Sequence, residues 1–266
     1  MSTGAGSFSD LRDRVLSGVV MALVGLGAVW AGGIVFLIFV SLLCGVMVWE
    51  LLKMLDPGAA FGRAEAAGFT VAVALFVFWR QLDGLWLVGA LALTVLILSL
   101  RLPRDRLIAG GYLTLMLFAC IGLIALRSVY GWEWLAWLVL IVIGSDVAGY
   151  FAGRIIGGPK LWPRVSPKKT WSGTVAGWAL AAVIGAAFMG PLAAGAGLII
   201  VSVLVAMAGQ AGDIAESALK RHAGVKDSSN LIPGHGGFLD RFDAMIAAAA
   251  TMLILAETGL LALLVR

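Results

Sequence analysis

Apolar residues fall in long blocks, broken by short polar stretches, from residue 15 to the end of the chain. A hydrocarbon core about 30 Å thick takes roughly 20 apolar residues in a helix. The blocks at 15–32, 34–55, 66–80, 85–100, 107–126, 132–154, 171–190, 192–220 and 242–264 therefore predict about nine transmembrane helices in an all-α, polytopic membrane protein. The third and fourth blocks are short. Residues 1–14 are small, polar and charged and predict a flexible arm. Residues 15–126 form the N-terminal transmembrane helices. Residues 127–266 form a second transmembrane region, interrupted by polar loops at 155–170 and 221–241. The first apolar block lacks a small-residue cleavage pattern, so it is expected to remain in place.

Composition strengthens this reading. Hydrophobic residues make up 61% of the 266 positions and charged residues only 13%, against about 45–50% and about 25% in soluble domains. Lysine and arginine collect in cytoplasmic loops. With the N-terminus inside, all of the nineteen basic residues except Arg80, Arg127 and Arg266 fall on the cytoplasmic side, and the C-terminus lies outside. The net charge of +4 needs no nucleic-acid partner, because juxtamembrane basic residues are drawn to the anionic inner leaflet and its lipids. Cys44 and Cys120 lie inside apolar blocks without metal or redox spacing, so both are read as packing residues.

A charge near the bilayer centre must face a partner or a cavity, and such charges gather in the second half of the chain. Asp146, Tyr150 and Arg154 share one face of the sixth helix, beside a stripe of Ser145, Gly149 and Gly153 suited to close helix contact. In the eighth helix Asp213, Glu216, Ser217 and Lys220 share a face, where two carboxylates one turn apart suit a hard cation. Three prolines, at 159, 163 and 167, rule out a continuous helix through the first polar loop. The run Ser166-Pro167-Lys168-Lys169-Thr170 then sets hydroxyls and ammonium groups at a helix N-terminus, a place that favours phosphate; capping by Thr170 is the simpler reading. In the second loop Pro233-Gly234 marks a turn, and Gly236-Gly237 allows amides to converge on an anion. Asp240 and Asp243 lie three apart at the start of the last helix, where capping is again the simpler alternative. Carboxylates gathered at helix ends repel one another unless a cation joins them, and Mg²⁺ is commonly held by one or two carboxylates plus substrate phosphates.

Ser217-Ala218-Leu219-Lys220-Arg221, Lys226-Asp227 and Pro233-Gly234-His235-Gly236-Gly237-Phe238-Leu239-Asp240-Arg241-Phe242-Asp243 together resemble the signature of the phosphatidate cytidylyltransferase (CDP-diacylglycerol synthase) family. The Ser166–Thr170 run and the Asp146/Tyr150 pair are also similar to that family, so the likeness covers residues 144–245. Ser172 departs from it, standing where an acidic residue is common.

The resemblance implies an enzyme of phospholipid biosynthesis in a bacterial inner membrane, with its active site facing the cytoplasm. It would join CTP to phosphatidic acid, giving CDP-diacylglycerol and pyrophosphate. It implies Mg²⁺, leaves room for a second, monovalent cation, and is compatible with a homodimer. Asp213 and Asp240 are expected as metal ligands, with Asp146 and Asp243 beside them. Lys168, Lys169, Lys220 and Arg221 are expected to neutralise phosphates. Ser166, Thr170, Ser217, Lys226, His235, Gly236, Gly237 and Arg241 are expected to contact substrate, and Asp227 to take a catalytic part. A cation-coupled transporter and a synthase acting on an ether-lipid phosphate are the alternatives. A CDP-alcohol phosphotransferase fits less well, since its aspartate motif with an early Asp-Gly pair is missing.

Overall fold

The computed structural model describes residues 5–60, 62–102 and 104–264. Helices α1 (Ala5–Ala31), α2 (Gly33–Leu55), α3 (Arg63–Gln81), α4 (Gly84–Leu100) and α5 (Arg106–Ala125) follow in order, and α5 runs on into a π-helical turn at Leu126–Tyr130. Next come α6 (Trp132–Ile155), a hairpin of β1 (Lys160–Trp162) and β2 (Ser166–Thr170), α7 (Trp171–Phe188), α8 (Gly197–His222), α9 (Leu239–Glu257) and α10 (Leu260–Leu264). Each expected apolar block contains a helix. Among the described residues, six segments are long and apolar enough to cross a bilayer: Arg14–Ala31, Gly33–Leu55, Arg106–Tyr130, Trp132–Ile155, Trp171–Phe188 and Gly197–His222. Helix α4 is apolar but shorter, while charges at the ends of α3 and α9 dilute their apolar runs. The protein is thus an all-α membrane protein, since a helix satisfies its own backbone groups where water cannot.

Three boundaries differ from the sequence pattern for identifiable reasons. Helix α1 already includes Ala5, inside the expected arm, because extending a formed helix adds one hydrogen bond per residue fixed. Helix α8 begins at Gly197 rather than at 192. Pro191 brings no amide donor, and Ala193 turns the chain at a φ of 50°. The last block divides into α9 and α10 at Gly259, whose φ of 73° is incompatible with a continuous right-handed helix.

The chain divides into two compact units. The first comprises Met1–Leu117 and His222–Phe242. Its centre is the α2 face carrying Val40, Cys44, Met47, Val48 and Leu51, all buried. Helix α3 crosses α2 where Gly45 meets Gly68, and a Cβ on Gly45 would sit 2.6 Å from the Gly68 carbonyl oxygen. Small residues allow such an approach, and in lipid close packing takes over from the hydrophobic effect as the force between helices. Helix α1 leaves Val19, Leu23, Leu26 and Trp30 exposed, as suits a helix facing acyl chains.

The second unit comprises Phe118–Arg221 and Asp243–Arg266. Helix α6 packs on α7 through the small-residue stripe read from the sequence. Ser145 backs onto Gly177, Gly149 onto Gly173, and Gly153 onto Thr170. Polar ties hold α8 to this pair. The buried Trp137 indole donates to Ser202 Oγ at 3.1 Å, and Trp178 donates to Gln210 Oε1 at 3.0 Å. Such bonds satisfy groups that would be costly to leave unpaired inside a bundle. On its other side α8 meets α9, where Gly212 lies against the Asp243 carbonyl and Ala247.

Candidate functional site

Helices α6, α8 and α9 and the strand β2 bring charged side chains together within the second unit. Asp213 Oδ2 accepts from the Lys169 ammonium at 2.7 Å, and Asp213 Oδ1 accepts from Ser217 Oγ at 3.3 Å. Asp146 lies within electrostatic reach of both Lys169 and Asp213. Asp243 lies within reach of Asp213, Asp146 and Lys220, and its Oδ1 accepts from the Ala244 amide at 2.7 Å. Three of the four aspartates expected at the site thus lie within electrostatic reach of one another, with Lys169 beside Asp213 and Asp146. Lys169 and Asp213 are each only partly buried, at 23% and 26% exposure, so water and small ions reach the pair. Asp146 is exposed on its helix. Glu216, the other acid on the Asp213 face, is fully buried and takes the Lys220 ammonium at 2.5 Å. Lys220 is therefore already engaged one turn beyond Asp213.

The hairpin explains how Lys169 reaches α8. After α6, Gly157 and Gly158 both take positive φ and turn the chain out of the helix. Strands β1 and β2 then pair antiparallel, with Lys160 opposite Thr170 and Trp162 opposite Ser166. Pro167 is tolerated because a two-stranded hairpin leaves backbone positions unpaired. Thr170 is the N-cap of α7, accepting from the Gly173 amide at 3.2 Å, so the capping reading describes its hydroxyl. Ser172, the departure from the family pattern, donates to the Gly157 carbonyl at 2.5 Å and bonds Thr170 at 3.0 Å. It ties the hairpin's base together. Lys168 points outward and is exposed, and Ser166 is half-buried.

The signature loop belongs to the first unit and uses its polar groups differently. Asp240 is buried, and its Oδ2 accepts from the Ser228 amide (2.9 Å), the Ser228 hydroxyl (2.9 Å) and the Gly237 amide (2.8 Å). The Gly236 amide donates to the Ile232 carbonyl at 3.2 Å. The two glycine amides expected to converge on an anion are thus committed within the protein. His235 Nδ1 lies 2.8 Å from Ser17 Oγ of α1. Lys226, Asp227 and Arg241 are exposed in this unit, and Arg221 is exposed at the end of α8 in the other. His222 bonds Asp105 at 3.0 Å.

Sequence reasoning passed over Glu50. It is fully buried in α2, and its carboxylate accepts from Ser229 Oγ, the Phe238 amide and the Leu239 amide at 2.6, 3.0 and 2.7 Å. An acid set within a long apolar block was the signal, because such a residue needs a partner.

Among the described residues, no three Asp, Glu, His or Cys side chains stand in metal-holding geometry. The chemistry of the donor set nevertheless suits a hard cation. Asp146, Asp213 and Asp243 offer oxygen only, and the position beside Asp213 already holds a positive charge, the Lys169 ammonium. A Mg²⁺ site needs only one or two carboxylates when substrate phosphates complete it.

Fold and site together define an all-α membrane protein that collects acids and lysines at helix ends, a class suited to handling charged phosphates beside a bilayer. The chain belongs to the cytidylyltransferase family, whose model matches residues 12–258. It is 34% identical over 251 residues to the phosphatidate cytidylyltransferase of Brucella suis, covering 92% of each chain. It is 34% identical over 274 residues to the protein of that name from Pseudomonas aeruginosa, covering 90% of this chain and 94% of the relative. The corresponding Bacillus subtilis protein is 31% identical over 266 residues, with coverage of 89% and 94%.

Proposed function

We propose that this chain is a phosphatidate cytidylyltransferase, joining CTP to phosphatidic acid to give CDP-diacylglycerol and pyrophosphate. The observation that carries this reading is the Asp213–Lys169 pair flanked by Asp146 and Asp243, in a chain matched along nearly its whole length by relatives of that name.

The chemistry asks for positioning and charge neutralisation. An oxygen of the phosphatidate monoester attacks the α-phosphorus of CTP, forming a new P–O bond, while the bond from that phosphorus to the α–β bridging oxygen breaks and pyrophosphate leaves. A phosphate monoester loses its second proton at a pKa of about 6, so the nucleophile is anionic near neutral pH without a strong base. The obstacle is repulsion between two anions, which fixed cations and donors lower. Lys169 is well placed for this, because a phosphate can compete with Asp213 for its ammonium. Lys168, exposed on the same strand, would meet phosphate from solvent, and Ser217 keeps Asp213 oriented. Asp213, Asp243 and Asp146 would hold Mg²⁺, which when bound supplies charge neutralisation to the phosphates and the leaving pyrophosphate. Asp240 is assigned first to shaping the signature loop, whose amides it already collects.

In this reading all nine apolar blocks cross the membrane, with the N-terminus cytoplasmic. The distribution of lysine and arginine supports that orientation. The lipid headgroup would then reach the site from the inner leaflet while its acyl chains stay in hydrocarbon. The relatives are bacterial proteins, which agrees with a plasma-membrane location. The test is an assay of the purified protein in lipid–detergent micelles with CTP, phosphatidic acid and Mg²⁺. Pyrophosphate release that requires all three is expected. Absence of release, or equal release without the lipid, overturns the reading.

A further inference from the structure

Glu50 lies near the C-terminal end of α2, in a span where an apolar residue would be the default. Its partners come from far along the chain. Ser229 Oγ, the Phe238 amide and the Leu239 amide all donate to it, and Ser228 Oγ lies 3.4 Å from its Oε2. Asp240 takes the Ser228 and Gly237 amides and the Ser228 hydroxyl. Two buried carboxylates therefore share the amides of residues 228, 237, 238 and 239, which are the two ends of one loop. The Ser228 hydroxyl stands between them. Gly237 has no room for a side chain, since a Cβ there would run into Ser228 Oγ and Glu50 Oε1. The loop's middle is closed by the pairing of Ile232 with Gly236, and its tip is tethered to α1 through His235 and Ser17.

This arrangement does more than fill space. Amides at the start of α9 lack intrahelical acceptors, and the acceptor for two of them comes from another helix rather than from a local cap. The loop's closed shape thus depends on a post outside itself. We infer that Glu50 is a positioning residue: from α2 it holds the 228–239 loop, and with it Asp240, in the shape that the transfer reaction uses. The inference rests on reading the chain as a CTP-dependent transferase, and it adds a residue outside the signature to that machinery.

The test pairs a structural with a kinetic measurement on the full-length protein. Glu50→Gln keeps the side chain's size but replaces one acceptor oxygen with a donor. Loss of charge-assisted bonds to buried amides should raise the opening of the loop roughly 10- to 100-fold. That is read as faster amide hydrogen exchange confined to residues 228–239, with the other helices unchanged. The kcat should fall about tenfold or more, and Glu50→Asp, which keeps two acceptor oxygens, should recover part of the loss. Ser229→Ala, which leaves α2 intact, should give a smaller change in the same peptide. The inference is overturned if exchange over 228–239 is unchanged in Glu50→Gln. It is equally overturned if exchange rises throughout the protein, or if Glu50→Gln turns over like the parent. Because exchange is read without substrate, a failure of the parent to make CDP-diacylglycerol is distinguished from a failure of the loop assignment.

Discussion

The two units each gather acids, yet they neutralise them in opposite ways. In the second unit Asp213 is half-buried and faces the ammonium of Lys169, a point charge on a long flexible stem. In the first unit Asp240 and Glu50 are buried and face backbone amides fixed by the turn of the chain. An ammonium can be exchanged for another cation or drawn away by a phosphate. A backbone amide cannot leave without unfolding its loop. The difference teaches that a cluster of acids becomes a site for exchangeable charge only where its counter-charge is mobile and water reaches it. Where the counter-charge is backbone, as for Asp240 and Glu50, the acids fix the shape of the loop that supplies the amides.

The largest effect that could break this contrast is expected at Asp213. Asp213→Asn should lower turnover by roughly 10³-fold, as expected when a group that organises transition-state charge is lost, with thermal unfolding little changed. A variant retaining full pyrophosphate release would remove Asp213 from the chemistry. Asp240→Asn should follow, with turnover down about 100-fold, but for a different reason. The Mg²⁺ concentration giving half-maximal rate should stay near that of the parent; a large rise would move Asp240 from architecture to cation binding. Lys169→Ala should cost about tenfold in kcat/KM for CTP. Its Mg²⁺ requirement should fall, because Asp213 no longer holds a competing ammonium, and an unchanged Mg²⁺ titration would separate Lys169 from the cation position. The smallest effect on activity is expected at Gly173→Ala, which pushes a methyl group into the Gly149 carbonyl where α6 crosses α7. It should destabilise the protein by about 1–3 kcal/mol, read as a lower unfolding temperature in detergent, with turnover per folded molecule nearly kept.

Much of this was legible along the chain. The apolar blocks located the long helices of the described residues, because the demand for internal hydrogen bonds in an apolar surrounding acts on each segment alone. The Ser145/Gly149/Gly153 stripe announced the α6–α7 contact for the same reason, since small residues four apart lie along one face of a helix. Helix boundaries were less legible. The start of α8 at Gly197 and the break at Gly259 depend on a few turn residues inside otherwise apolar runs.

The sequence by itself determined the class of protein, its helices, and the acids and lysines available for chemistry, since these follow from local periodicity, composition and motif. Only the tertiary structure decided which counter-charge each acid meets. Lys169 reaches Asp213 because a hairpin carries it there. Glu50 caps an amide 189 residues away because the chain folds that loop back onto α2. Electrostatic and hydrogen-bond partners are chosen by distance in space, and a distance of a few ångströms between remote segments is a property of packing that no local pattern encodes.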